Sequence, residues 1–105
     1  MKNKKHVADT VKSDLKEAAE WYNNARKGLG FIFLKDINLK VSYIAENPLI
    51  YNIRYSNIRV AFSNKFPYGI HYEYLPEYNQ VNILAVYHTS RNPELWSGAP
   101  QNNDV

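Results

Sequence analysis

The sequence predicts an α+β domain in which an N-terminal helical hairpin packs on a small antiparallel β-sheet, in the order β-α-α-β-β-β. Apolar residues recur every three or four positions before Pro48 and alternate with polar residues after it. A chain of 105 residues suffices for one compact domain with one core. We therefore expect a single domain over residues 1–96 and a disordered tail over residues 97–105.

Two helices are predicted in the first half. The first runs from Val11 to about Arg26, with Thr10 or Asp9 as its N-cap. Gly28 and Gly30 are expected to provide the C-cap and a tight turn. The second helix ends at Glu46-Asn47-Pro48. The apolar positions that predict the helices are Val11, Leu15, Ala18, Ala19 and Tyr22, and then Phe33 or Leu34, Ile37, Val41 and Ile44.

Three strands are predicted after Pro48, and a short one is predicted near Lys4 to Ala8. Alternation indicates strands around Ile58–Phe62 and Ile70–Tyr74. The unbroken apolar run Ile83-Leu84-Ala85-Val86 indicates a central strand that is covered on both faces. A turn at residues 76–79 joins the last two strands.

Composition and charge exclude several classes of function. The chain has no cysteine, which excludes disulfides, thiol catalysis and cysteine-ligated zinc. No apolar run approaches the roughly 20 residues that span a bilayer, and a cytoplasmic protein without cofactor or metal is expected. The net charge of +3 comes mainly from Lys2, Lys4 and Lys5, so the body is nearly neutral. Nucleic-acid binders concentrate cations more strongly than this.

Several segments carry a resemblance to a known family. They are Glu17-Ala18-Ala19-Glu20-Trp21-Tyr22-Asn23, Gly28-Leu29-Gly30, Asn47-Pro48 with Tyr51, Ile58-Arg59, residues 66–72, and His88-Thr89-Ser90-Arg91-Asn92-Pro93 with Trp96. In this order and spacing they resemble the RelE/ParE toxin superfamily of bacterial type II toxin-antitoxin systems, and its ParE-like branch in particular.

The resemblance implies one of two activities. ParE-like toxins bind and inhibit DNA gyrase and serve in plasmid stabilisation, whereas RelE-like toxins cleave messenger RNA on the ribosome. Cleavage needs groups that move protons and stabilise a phosphorane, and RelE-like enzymes use several cations for this. Arg59 matches one such position, but Gly69 and Ala61 stand where the cleaving branch has or could have cations. These departures favour a non-cleaving toxin.

The cleaving alternative has four candidate catalytic residues, Arg59, His71, His88 and Arg91. If Glu77 and Tyr78 form the hairpin tip, His71 pairs with Leu84, and both histidines share one face of the sheet. A one-residue slip decides whether that face meets solvent or the helices. Isolated histidines are more often structural or solvated, and no pair has metal-ligand spacing.

The aromatic residues have a structural and a binding interpretation. The nine tyrosines could stack bases, but strand tyrosines are more often half-buried sheet residues. We expect Trp21 to seal the hairpin against the sheet or tail, with a partner-facing role as the alternative. Trp96 would anchor the tail or mark a binding patch. The candidate target- or partner-binding residues are Trp21, Arg59, Arg91 and Trp96.

The resemblance also implies a partner. A cognate antitoxin would cover apolar grooves beside the helical hairpin or add to a sheet edge. Without it, the toxin would self-associate. DNA gyrase is the expected target, with the ribosome and messenger RNA as the alternative. A relative that has lost toxicity and only binds an antitoxin, and a generic RNA-binding domain, are the remaining interpretations.

Overall fold

The computed structural model describes residues 3–90, which form two helices and five strands. In chain order these are β1 (Lys4–Val7), α1 (Asp9–Ala25), α2 (Leu29–Glu46), β2 (Ile53–Tyr55), β3 (Ile58–Phe62), β4 (Tyr68–Leu75) and β5 (Gln80–His88). The predicted α+β class with an N-terminal helical hairpin is confirmed. The predicted tail over residues 97–105 lies outside the described residues.

The sheet has the order β1-β5-β4-β3-β2 and is mixed. β1 pairs with β5 in parallel, from Lys4 opposite Gln80 to Val7 opposite Ile83, and the other neighbours are antiparallel. The sheet is therefore antiparallel as predicted except at β1. The helical hairpin follows β1 directly, and a parallel pair needs such a long connection.

The helical hairpin matches the predicted apolar pattern but differs at its ends. Val11 and Ala19 of α1 are buried, as are Phe33 and Ile37 of α2. α1 begins at Asp9 after the N-cap Ala8, which has no side-chain cap, so the predicted caps Thr10 and Asp9 are wrong.

Gly28 and Gly30 both lie at the start of α2. Gly28 has a φ of 87° and is the N-cap of α2, and Gly30 lies inside the helix. Asn23 of α1 accepts a hydrogen bond from the Gly30 N–H through Oδ1 at 2.8 Å. This bond satisfies an N–H that the first turn of a helix leaves without a partner.

β2 was not predicted from the sequence. It is three residues long and turns directly into β3 through Ser56, whose φ is 48°. Ile53 pairs with Arg59 and Tyr55 with Ile58, with a register shift between them. So short a strand has no room for a detectable alternation.

A β-bulge in β5 explains its apolar run. Tyr72 pairs with Ile83, and the residue before it in β4, His71, pairs with Ala85. Leu84 is therefore an extra residue in β5 without a partner position in β4. Ile83 and Val86 therefore both lie in the core on the helix side. Leu84 is 39% exposed, so the predicted cover on both faces is wrong.

Candidate functional site

Within residues 3–90, one face of the sheet carries no helix, and this face holds a buried histidine. The strand register places Val60, Phe62, Gly69, His71 and Tyr87 on this face, which we call the helix-free face. His71 is fully buried there. Its Nδ1 lies 2.7 Å from the Tyr55 hydroxyl, and its ring meets the Tyr87 ring edge-on at 5.1 Å.

Both members of the Tyr55–His71 pair are uncharged at neutral pH. Burial lowers the pKa of His71 from 6.5 to about 4, and the positive charge of Arg54 contributes to this lowering. Burial and the nearby Tyr87 raise the pKa of Tyr55 above 10.0. The pair therefore supplies neither a cation for a phosphate nor a phenolate base at pH 7.

The structure separates the two histidines that the sequence placed on one face. The predicted register holds from the hairpin tip to Tyr72 and Ile83, and the bulge at Leu84 shifts it beyond that point. His88 pairs with Tyr68, whose ring packs against the core on the helix side. His71 and His88 consequently lie on opposite faces of the sheet, which corrects the expected arrangement.

Arg59 holds a loop. It pairs with Tyr72 on the helix side of β3, and its Nη1 donates a hydrogen bond to the Tyr51 carbonyl oxygen at 2.6 Å. The Tyr72 hydroxyl donates to the Pro48 carbonyl oxygen at 2.8 Å. These two bonds fasten the segment between α2 and β2, and Arg59 does not share a face with His71.

Gly69 and Ala61, the two positions where the cleaving branch has or could have a cation, lie on opposite faces of the sheet. Gly69 pairs with Tyr87 on the helix-free face and is itself buried. Ala61 pairs with Ile70 and is fully buried in the core under the helices. A cation at position 61 would be buried without water, so Ala61 is explained by packing and says nothing about chemistry.

Most of the described tyrosines have structural contacts. Tyr22 and Tyr68 join Phe33 and Phe66 in a cluster whose ring centroids are 4.9–6.5 Å apart. Burial and Tyr22 raise the pKa of Tyr68 to about 12. Tyr51 accepts a hydrogen bond from Lys40 Nζ at 3.2 Å. These contacts agree with the structural interpretation of the tyrosines.

A groove of about 400 Å³ lies between α1 and the end of β5, and we call it the α1 groove. Asp14, Glu17 and Trp21 line it from α1, and Tyr68 and His88 line it from the sheet. Trp21 touches Tyr22 edge-on at 5.1 Å but is 66% exposed. The hairpin and sheet therefore leave most of this ring uncovered. Two further candidates, Arg91 and Trp96, lie outside the described residues.

A second groove was missed from the sequence. It has a volume of about 480 Å³, runs along one stripe of α2, and we call it the α2 groove. Phe31 and Leu39 are 70% and 62% exposed along it. These apolar residues lie outside the buried stripe of α2, and this position in the helical pattern could have indicated the groove from the sequence. Its lining is Phe31, Leu34, Lys35, Asn38, Leu39 and Ser42.

The α2 groove ends beside the edge of the sheet. Lys5 of β1 donates a hydrogen bond from Nζ to the Ser42 hydroxyl at 3.2 Å. Within residues 3–90, β1 has a strand partner on one side only, so its other side forms an open sheet edge. An apolar groove and an open strand edge thus lie next to each other, with Lys5 and Lys35 as nearby cations.

Two kinds of feature are absent from residues 3–90. No group of three or more histidine or acidic residues there could hold a metal ion. None of the described helices is both long and apolar enough to cross a membrane.

The family model for "ParE toxin of type II toxin-antitoxin system, parDE" matches residues 6–93. The chain belongs to the ParE toxin family. This match runs from within β1 through β5 and extends past Arg91. A ParE toxin belongs to a type II toxin-antitoxin system, and the family implies an antitoxin partner. No curated protein matches the chain.

Proposed function

We propose that this ParE toxin acts by binding and inhibiting DNA gyrase in the cytoplasm. The neutral Tyr55–His71 pair on the helix-free face carries the argument against the cleaving alternative. RNA cleavage requires groups that exchange protons near pH 7 and cations that stabilise the phosphorane. At this face the histidine has a pKa of about 4. Gly69 also lies there, at a position where the resemblance to the cleaving branch implies a cation. A toxin that lacks proton-exchanging groups and cations at this face would inhibit its target by binding it.

Purified toxin is expected to inhibit gyrase supercoiling and to leave ribosome-bound messenger RNA intact. Both assays would be run on the same preparation, so that a failure to fold cannot mimic selectivity. Addition of the antitoxin should restore supercoiling. The proposal fails if messenger RNA is cut and His71→Ala, His88→Ala or Arg91→Ala abolishes the cutting.

The proposed contacts of the toxin with its target or partner involve the exposed Trp21, together with Arg91 and Trp96. Arg59 would contribute indirectly, because its guanidinium already binds the Tyr51 backbone and fixes the neighbouring loop.

The antitoxin would neutralise the toxin by covering the α2 groove and the β1 edge. An amphipathic helix of the antitoxin fits the apolar stripe from Phe31 to Leu39, and an extended segment fits the open edge of β1. Lys5 and Lys35 favour acidic residues on that partner.

Leu39→Glu is expected to weaken antitoxin binding about 30-fold, because it removes apolar area from the groove and buries a charge there. Leu49→Glu is the matched control, since Leu49 is similarly exposed but lies outside the groove. Isothermal titration calorimetry of each variant with the antitoxin measures the difference. Equal affinities for the two variants would remove the α2 groove from the interface.

The same groove accounts for the expected self-association. When the antitoxin is absent, the apolar stripe of one copy can bury that of another. Sedimentation of the free toxin should show oligomers that Leu39→Glu converts to monomers. A wild-type chain that stays monomeric over the accessible concentrations would contradict this.

A further inference from the structure

The α1 groove has an acidic rim above an apolar floor. Asp14 and Glu17 lie on the same side of α1 as Trp21, because spacings of three and four residues return to one helix face. Both carboxylates are exposed, whereas Ala18 is half-buried and Val86 is buried, so the apolar pair lies deeper in the groove. The described lining contains no lysine or arginine. The rim is therefore negatively charged.

The sequence of α1 leaves this charge without a neighbouring cation on the helix. Ion pairs on a helix form between residues three or four positions apart. No lysine or arginine stands at either spacing from Asp14 or Glu17, and the two carboxylates are themselves three positions apart. Glu20, in contrast, follows Lys16 by four positions. The negative charge is thus concentrated on the side of α1 that lines the groove.

The opposite wall of the groove is held in place by the sheet. The His88 ring meets the Tyr68 ring edge-on at 5.3 Å, and both side chains line the groove. His88 Nδ1 accepts a hydrogen bond from the Ser90 N–H at 3.1 Å. A ring nitrogen that accepts a hydrogen bond carries no proton, so His88 adds no positive charge here. The wall is preorganised, and the groove as a whole stays acidic.

These features select a protein segment with a cation and a large apolar side chain. Carboxylates on the rim repel the phosphates of a nucleic acid. Trp21 is 66% exposed, and tryptophan is enriched among the residues that supply most binding energy at interfaces. Trp21 lies about 6 Å along the helix axis from Glu17. Alternate residues of an extended segment are separated by about 7 Å on one face, which matches this distance.

We propose that the α1 groove binds a segment of the target, DNA gyrase, in which an arginine or lysine stands two residues from a large apolar side chain. The cation lies against Asp14 and Glu17, and the apolar side chain packs on Trp21. The inference rests on the proposed function and adds the site and the chemistry of the bound segment. It also separates the two partners by charge, since the α2 groove contains Lys35 and favours an acidic antitoxin.

Full-length toxin with Trp21→Ala or Glu17→Lys tests the proposal in the supercoiling assay. Each change should raise the toxin concentration that half-inhibits gyrase at least about tenfold. The matched controls are Tyr78→Ala and Glu20→Lys, which should stay within about twofold of wild type. Tyr78 is 61% exposed on the turn between β4 and β5, and Glu20 is exposed on α1 but does not line the groove.

Antitoxin affinity, measured by calorimetry, separates damage to the groove from damage to the fold. All four variants should bind the antitoxin as tightly as wild type does, because their α2 groove is unchanged. Inhibition at wild-type concentrations by either Trp21→Ala or Glu17→Lys overturns the groove proposal alone, as does an equal loss of inhibition in Glu17→Lys and Glu20→Lys. A variant that loses gyrase inhibition and antitoxin binding together also overturns it. If wild-type toxin does not inhibit gyrase, the proposed function fails first, and the groove proposal fails with it.

Discussion

Gly30→Ala is expected to lower the free energy of unfolding of the toxin by about 3 kcal/mol. In an open helix the same change would stabilise by about 1 kcal/mol, because alanine is the better helix former. Here a Cβ on Gly30 would collide with the Ala19 carbonyl oxygen of α1 and with the Asn23 side chain at 2.9 Å. Backbone cannot yield as a flexible side chain does, so α1 and α2 would have to separate.

Gly28→Ala is the matched control for this experiment. Gly28 lies two residues away, and a methyl group on its Cα would meet no atom within 4 Å, but its φ is 87°. The substitution should therefore cost only about 1 kcal/mol, through backbone strain alone. Urea unfolding of the two variants measures the difference. A Gly30→Ala protein that is as stable as the wild type would show that the two helices pack less closely than this contact requires.

The second large effect is an acid-dependent loss of stability at His71. The unfolded imidazole takes up a proton near pH 6.5, whereas burial and Arg54 hold the folded pKa at about 4. Between these values the unfolded state binds more protons, so stability falls as pH falls. We expect the full contribution above pH 6.5 and a loss of about 2 kcal/mol by pH 4.5.

His71→Gln should flatten this part of the curve of unfolding free energy against pH. The amide keeps a polar partner for the Tyr55 hydroxyl, which lies 2.7 Å from Nδ1 in the wild type. His6→Gln is the control, because His6 is an exposed residue of β1. If His71→Gln retains the wild-type slope between pH 6.5 and 4.5, the imidazole is not the group that titrates.

The helices and the middle strands were predictable because their patterns repeat. Each turn of α2 from Phe33 to Ile44 adds one more buried position, so a local error does not change the period. The alternation in β3 and β4 works in the same way. The ParE resemblance was likewise carried by many short segments in order, and the family match over residues 6–93 confirms it.

The features that the sequence did not predict depend on single residues or on residues far apart in the chain. One extra residue, Leu84, moved His88 to the helix side, and the apolar spacing from Ile83 to Val86 was the only trace of it in the sequence. β1 exposes three of its four residues, so its parallel partner could not be read from periodicity. Phe31 and Leu39, the exposed apolar residues of the α2 groove, belong to no buried pattern.

The parallel pairing of β1 with β5 fixes the order in which this toxin can be completed during synthesis. Lys4–Val7 leave the ribosome before the helices and the other strands, whereas their partners from Gln80 to Ile83 belong to the last of the described strands to be made. A nascent chain therefore holds an unpaired first strand until nearly all of the domain has been translated, and so distant a contact forms slowly. A toxin whose translation stops before β5 lacks the strand that lies between β1 and β4 in the sheet.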